Sequence, residues 1–297
     1  MYYHENIDHV NIIDRINSFI GGIPIEEPLP NRGLDTESTL IDLVLDHYTD
    51  CLLNSELALS YLASRGIDDV EVIRKFRLGY SDRSLGLRLQ ELDITQEERA
   101  RGQLKLTGLL KPSGHEFFHG SIVIPYIDEN GIVQGGYGRR ITPKLKSPSV
   151  YHVHWNPANT VFFNQEALQA HEVIIVCKTA LEALSYWILG FRNVVSTLGL
   201  RHFNEHHLFA LQQYGVKKIL IAFDNDRKGN RAARQIAQLV SAYDIECCRI
   251  RYPQEKDAND CLLFCRQSKP YFEGLVNKAK PCTQSFSSLQ KDALNGE

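Results

Sequence analysis

The chain has 297 residues, of which 43% are hydrophobic and 23% are charged, as in a globular protein of one large or two ordinary domains. Its net charge of −3 excludes a uniformly basic nucleic-acid coat but allows a local basic groove. No apolar run is long enough to span a membrane, and the first ten residues, MYYHENIDHV, lack the positive and apolar regions of a signal peptide. We therefore expect a cytoplasmic protein with no membrane partner.

The seven cysteines are scattered, and no Cys-x-x-Cys pair occurs. Cys261 and Cys265 are four positions apart but have no matching second pair of ligands. This pattern favours reduced, mostly buried thiols and predicts no zinc site.

In chain order, residues 1–33 read as a short apolar-periodic helix and a linker rich in proline and glycine. Helical patterns follow from Asp35, over residues 57–63 and over residues 68–76. Residues 77–150 have a mixed α+β pattern. They include a predicted hairpin, in which strands at 121–127 and 132–138 flank the turn signal Asp128-Glu129-Asn130-Gly131.

Four cations follow that hairpin within a short segment: Arg139, Arg140, Lys144 and Lys146. They fit a patch that contacts phosphates, and they fit equally well a solvated hairpin end. If they bind nucleic acid, we expect them to line a groove between two subdomains.

From Glu172 the pattern alternates regularly between strands and helices. Strands are predicted at residues 173–176, 193–196, 219–223 and 246–250, with helices at 180–189, 203–214 and 230–242 between them. This alternation predicts an α/β fold with a parallel sheet and right-handed crossovers. After Asp260 we expect a short helix to Gly274 and then a polar tail.

The strand at 219–223 ends abruptly in Asp224 and Asp226. Ligand sites of open α/β sheets lie at the carboxyl ends of the strands, and two clustered carboxylates need a cation between them. Hard oxygen ligands of this kind suit Mg²⁺. The alternative is a solvated turn in which an Asp caps the following helix.

Several motifs in the right order resemble the catalytic core of bacterial DnaG-type primases, which carries a Toprim domain. The resemblance spans about residues 50–265. Its motifs are residues 61–67 (YLASRGI), residues 76–80 (FRLGY), the strand pair that runs from Ile124-Pro125 to Gly136 and Arg139, Asp-x-Asp at Asp224 and Asp226, and residues 256–260 (KDAND). The implied organisation is an N-terminal extension (1–33), a smaller α+β primase-core subdomain (34–160), a Rossmann-like Toprim domain (161–265) and a C-terminal helix and tail (266–297).

The resemblance implies synthesis of short RNA primers by Mg²⁺- or Mn²⁺-dependent nucleotidyl transfer. The expected partners are single-stranded DNA, nucleoside triphosphates and a replicative helicase, which would bind through an unidentified surface. Asp224 and Asp226 would be catalytic metal ligands, and Asp257 an outer acidic ligand. Arg139, Arg140, Lys144 and Lys146 would face template or nucleotide phosphates.

The chain also departs from the family pattern. A Toprim domain carries a Glu-Gly pair after its first strand, where this chain has Lys178-Thr179. Glu182, four positions on, is expected to replace that Glu in part or to act only at the helix N-terminus. We also expect the zinc ribbon and the helicase-binding domain of the family to be missing.

We predict that Lys178 lies near Asp224 and Asp226, pairs with them, and weakens Mg²⁺ binding and priming; in the alternative, Lys178 points to solvent and Glu182 completes a working site. Three functions compete: a primase-like polymerase, a nucleic-acid-binding protein of a plasmid, phage or other mobile element that has lost the chemistry, and a Toprim nuclease.

Overall fold

The computed structural model describes residues 33–142, 151–157, 161–254, 256–265 and 269–282. The predicted N-terminal helix and linker of residues 1–32, and the cations Lys144 and Lys146, lie outside the described residues. The chain divides into two compact units. Within the described part, the first unit contains residues 33–59, 73–125 and 136–155, and the second contains residues 60–72, 126–135 and 156–282.

The chain up to residue 155 combines helices with an antiparallel sheet. The helices are α1 (Gly33–Leu53), α2 (Glu56–Ser64), α3 (Val70–Lys75), α4 (Leu85–Leu89) and α5 (Ile94–Leu106). The strands are β1 (Gly79–Ser81), β2 (Ser121–Ile127), β3 (Val133–Arg140) and β4 (His152–Trp155), in the order β1-β2-β3-β4.

The predicted hairpin is β2–β3. Its turn is held by the Asp128 side chain, which accepts hydrogen bonds from the backbone N–H groups of Asn130 and Ile132, both at 2.9 Å. Gly131 adopts φ +80° in this turn, a conformation that favours glycine.

The rest of the chain alternates strands and helices. After a 3₁₀ turn (Gln165–Gln169) come β5 (Val173–Cys177), α6 (Ala180–Ile188), β6 (Val194–Ser196), α7 (Glu205–Gln213), β7 (Lys218–Ala222), α8 (Arg227–Ser241), β8 (Glu246–Arg249), α9 (Ala258–Phe264), α10 (Lys269–Asn277) and β9 (Lys280–Pro281). The sheet order is β6-β5-β7-β8-β9, and β6, β5, β7 and β8 are parallel. The predicted α/β fold with its parallel sheet is confirmed.

The central strands β5 and β7 are apolar on both faces because helices cover both sides of a parallel sheet. Ile174 and Val176 on β5 and Ile219 and Ile221 on β7 are fully buried in one core cluster. The ends of these two strands are therefore rigidly placed relative to each other.

Among the differences between the structure and the sequence prediction, one lies at the β8 edge of the parallel sheet and one at the start of α8. A short antiparallel strand, β9, adds to the edge of the sheet beside β8, where a polar tail was expected. Its Pro281 lacks an N–H and suits an edge position. Helix α8 begins at Arg227, three residues earlier than predicted, because Asp226 caps it. In the described part of the chain, no helix is both long and apolar enough to cross a membrane.

A candidate carboxylate site with an internal cation

Two neighbouring strand ends bring a lysine and an aspartate together. In the parallel pair β5–β7, Cys177 lies opposite Ala222. Lys178 is the next residue after β5, and Asp224 follows β7 by two residues. Both side chains therefore leave the same edge of the sheet, which is the edge where α/β folds place their ligand sites.

Lys178 forms a two-pronged ion pair with Asp224. Its Nζ donates to Asp224 Oδ1 at 2.7 Å and to Oδ2 at 2.6 Å. The same ammonium lies 3.4 Å from Glu182 Oε1, one helical turn along α6. The side chain of Lys178 is only 20% exposed, so it is held among the carboxylates rather than extended into water.

Glu182 is the most buried member of the site, with 2% exposure. Thr179, the N-cap of α6, donates from its hydroxyl to Glu182 Oε1 at 3.0 Å and accepts the backbone N–H of Glu182 at 3.4 Å. Glu182 Oε2 is buried and has no hydrogen-bond partner in the described part of the chain. Burial raises the pKa of Glu182 to about 8, although Lys178 opposes that shift.

Asp257 completes the acidic cluster. A carboxylate oxygen from each of Glu182, Asp224 and Asp257 lies within 4.8 Å of the others. Asp257 is also the N-cap of α9, where it accepts the backbone N–H of Asp260 at 2.8 Å. Burial raises the pKa of Asp257.

Asp226 has a different role from its neighbour Asp224. Its Oδ1 accepts the backbone N–H of Gly229 at 2.6 Å, which makes it the N-cap of α8. The cluster of convergent carboxylate oxygens contains Asp224 but not Asp226. Of the Asp-x-Asp pair, one member faces the lysine and the other holds the helix.

The charge of Lys178 is stabilised by its surroundings. Burial lowers the pKa of this lysine, but Glu182, Asp224 and Asp257 outweigh burial, so that the net effect raises the pKa above its usual value. The ammonium is therefore fully charged at neutral pH.

The donor set suits a divalent cation, but the arrangement does not. Three carboxylates within 4.8 Å are ligands of the kind that Mg²⁺ prefers. Both oxygens of Asp224, however, already accept hydrogen bonds from a charged ammonium, which would repel Mg²⁺ and competes for the same lone pairs. The residues therefore do not fit a metal ion while Lys178 keeps this position.

Comparisons with known proteins agree on one family. A Toprim-like family model matches residues 175–262. The DNA primase of Campylobacter jejuni is 30% identical over 216 residues, which cover 67% of this chain and 34% of that protein. The DNA primase of Aquifex aeolicus is 31% identical over 235 residues, which cover 74% of this chain and 45% of that protein. The chain is a relative of the DnaG-type DNA primases.

Solved structures support the same fold. The structure of the zinc-binding and RNA polymerase domains of the Aquifex aeolicus primase superposes with a TM-score of 0.72 at 26% identity, covering 91% of this chain and 67% of that one. A DnaG catalytic core superposes with a TM-score of 0.68 at 19% identity, which shows the fold alone. The resemblance to a DnaG-type core with a Toprim domain is thus confirmed. The chain spans between a third and a half of the length of the two curated relatives named above.

One residue next to the site of this DnaG-type core was missed by sequence reasoning. Arg249, at the end of β8, is 4% exposed. Its Nη2 donates to the backbone carbonyls of Phe223 and Asp224, both at 2.7 Å, and its Nη1 donates to those of Ile221 (2.9 Å) and Ile250 (3.0 Å). The available signal was an arginine within a short buried strand, since charged residues are rarely buried without partners.

Of the four predicted basic residues, Arg139 and Arg140 lie on β3, in the first unit. Arg139 Nη1 donates to His152 Nε2 at 2.7 Å, and its guanidinium lies 5.2 Å from the ring centre of Tyr151. Arg140 Nε is buried and has no hydrogen-bond partner in the described residues.

A second cluster of metal-ligand types also lies in the first unit. Ligand atoms of His47, Cys51 and Asp82 lie within 4.8 Å of one another. His47 and Cys51 share one face of α1 at an i, i+4 spacing that sequence reasoning had not considered. The absence of zinc therefore stays a prediction.

Proposed function

We propose that the chain is a primase-like protein of DNA replication that binds single-stranded DNA, and that Lys178 takes much of the place of a divalent cation in its carboxylate site. The observation that carries the proposal is the pair of short contacts between Lys178 Nζ and both oxygens of Asp224. A fixed ammonium neutralises the carboxylates without an ion. We infer that the protein binds Mg²⁺ poorly and synthesises primers weakly or not at all.

Single-stranded DNA is the proposed partner for two reasons. One of the structural relatives is a DnaG primase catalytic domain described as bound to single-stranded DNA, with a TM-score of 0.68. In this chain, Arg139 and Arg140 on β3 supply charge for phosphate contacts, and Arg140 keeps a buried donor without a partner in the described residues. Lys144 and Lys146 are proposed to extend the same basic segment.

Active primer synthesis is the second candidate. It is favoured by Glu182, Asp224 and Asp257, whose oxygens converge within 4.8 Å. If a substrate draws Lys178 away, for example through its phosphates, the three carboxylates become available to Mg²⁺ or Mn²⁺. Nucleoside triphosphates would then be substrates, and Asp226 would remain a helix cap or join as a further ligand.

The test measures DNA binding and catalysis in the same preparations. Anisotropy of a fluorescent thymidine oligonucleotide should show binding that is equal in Mg²⁺ and in EDTA. Arg139→Gln/Arg140→Gln should weaken binding. It should also reduce the slope of the logarithm of the binding constant against the logarithm of the salt concentration, by about one unit for each phosphate that the variant no longer neutralises. The double variant Lys105→Gln/Lys217→Gln, at exposed positions, removes the same charge and should leave both unchanged.

A primer-synthesis assay distinguishes the proposed function from the second candidate, active primer synthesis. Labelled nucleoside triphosphates on a single-stranded template should give little or no primer with the wild type under the proposal, and a clear product under the second candidate. Degradation of the oligonucleotide would instead indicate a nuclease. Absence of DNA binding in both Mg²⁺ and EDTA would overturn the proposal.

A further inference from the structure

Arg249 also lines a cationic cavity within the second unit. It has a volume of about 330 Å³. The polar residues that line it are Asn230, Arg234, Arg249, Arg251, Lys280 and Cys282. These residues come from α8, from the end of β8 and from the β9 edge strand that sequence reasoning did not foresee.

The charges around this cavity are of one sign. Four of the lining residues are Arg or Lys, and none is acidic. Among the described residues, no ion pair engages Arg234, Arg251 or Lys280. Like charges that converge on one cavity repel each other, and an anion placed between them removes that repulsion.

One of the residues that line the cavity, Arg249, has a buried donor without an acceptor. Arg249 uses Nη1 and Nη2 for four backbone carbonyls, but its Nε is buried and has no hydrogen-bond partner in the described residues. A buried N–H without an acceptor costs about 1–3 kcal/mol, which is offset if an acceptor approaches the guanidinium.

We infer that this cavity is a phosphate-binding site. Arginine guanidinium groups match phosphate oxygens with pairs of hydrogen bonds, and lysine adds a point charge. Arg249 lines this cavity and also donates to the backbone carbonyl of Asp224, so it connects the cavity with the carboxylate site. The inference does not depend on the proposed DNA binding, because a free polyphosphate presents the same chemistry.

Calorimetric titration with tripolyphosphate in EDTA tests the site. EDTA excludes any contribution from a metal at the carboxylates. The wild type should bind one equivalent, and Arg234→Gln/Lys280→Gln should bind at least about tenfold more weakly, a loss of about 1.4 kcal/mol. Lys105→Gln/Lys217→Gln removes the same charge elsewhere and should bind within about twofold of the wild type. Equal weakening by both double variants, or no saturable binding by the wild type, would overturn the inference.

Cys282 offers a readout inside the cavity. The thiol of Cys247 donates to Cys282 Sγ at 3.4 Å and lowers the pKa of Cys282, and Arg249 and Arg251 act in the same direction. Tripolyphosphate should therefore slow alkylation of Cys282, followed by mass spectrometry, while the half-buried Cys265 reacts at an unchanged rate. Equal rates at Cys282 with and without tripolyphosphate would contradict the site.

Competition between a thymidine oligonucleotide and tripolyphosphate identifies the source of the phosphate. If a thymidine oligonucleotide displaces tripolyphosphate, the cavity takes phosphates of a nucleic-acid strand. If tripolyphosphate remains bound at saturating oligonucleotide, the cavity takes a free polyphosphate such as the tail of a nucleotide. Either result supports a phosphate-binding site and shows which kind of molecule supplies the phosphate.

Discussion

Two cations hold Asp224 in different ways. Lys178 pairs with the carboxylate through two hydrogen bonds and remains 20% exposed, whereas Arg249 is 4% exposed and donates to the backbone carbonyl of the same residue. The ammonium occupies lone pairs that a metal ion would need, and the guanidinium occupies none of them. We therefore expect the first cation to control what the site binds and the second to fix the position of Asp224.

The largest effect expected from this comparison is on stability at Arg249. Arg249→Met would leave four backbone carbonyls without their donor, at about 1–3 kcal/mol for each buried group that stays unsatisfied. Part of this cost is relieved by other partners, so we expect a net loss of about 3–5 kcal/mol in the free energy of unfolding, measured with urea. Arg251→Met, at an exposed position, should change it by no more than about 0.5 kcal/mol. Similar values for both variants would show that Arg249 does not support the strand ends.

A smaller loss is expected at Lys178. Lys178→Met leaves the carboxylate of Asp224 without its cation, and because the Lys178–Asp224 pair is partly exposed we expect a loss of about 1–3 kcal/mol in EDTA. Mg²⁺ should restore more stability to this variant than to the wild type, since it binds only the folded state. Lys217→Met, at the opposite end of β7, serves as the control. A variant as stable as the wild type in EDTA would indicate that the ion pair contributes nothing.

The buried carboxyl beside Lys178 predicts a pH dependence. Burial raises the pKa of Glu182 from 4.5 to about 8. The folded state then keeps a proton that the unfolded state releases, so this group's contribution to stability is greatest below pH 4.5 and is lost as the pH rises towards about 8. Urea unfolding at a series of pH values should show a flatter profile for Glu182→Gln than for the wild type, and Glu205→Gln, at an exposed position, should keep the wild-type slope. Parallel profiles for Glu182→Gln and wild type would refute the shift.

The smallest effect is expected at Asp226. Asp226→Ala removes the N-cap of α8 and should cost about 1 kcal/mol, whereas Asp226→Asn keeps a capping oxygen and should cost only a few tenths. Thermal unfolding of the two variants distinguishes these outcomes. An equal loss in both would mean that the charge of Asp226 matters, as in a ligand, rather than its cap.

Much of the arrangement around Asp224 can be predicted from the sequence, because the apolar pattern of a strand and the residues at its end are local signals. The alternation after Glu172 predicts the parallel sheet, and neighbouring parallel strands that end together place Lys178 beside Asp224. The contrast between Asp224 and Asp226 does not follow, because an aspartate after a strand serves equally well as a ligand or as a helix cap. The register of α8, not the residue type, assigns the two roles.

Other features could not be predicted from the sequence, each for a different reason. Strand β9 has only two residues and therefore carries no periodicity. Arg249 donates to backbone carbonyls at the end of β7, just after it and at Ile250, and backbone groups leave no trace in the side-chain pattern. The cationic cavity joins α8, β8 and β9, so its charges are dispersed over about fifty residues of sequence.

The most direct test of the account is calorimetric titration of Mg²⁺ into the wild type, Lys178→Glu and the control Lys217→Glu, which changes the charge equally at the far end of β7. Lys178→Glu removes the repelling ammonium and adds a carboxylate beside Asp224. If Lys178 stands in for the metal, Mg²⁺ should bind weakly to the wild type and to Lys217→Glu, and at least about tenfold more tightly to Lys178→Glu. Tight binding by the wild type, or no gain in Lys178→Glu over Lys217→Glu, would contradict the claim that Lys178 stands in for the metal.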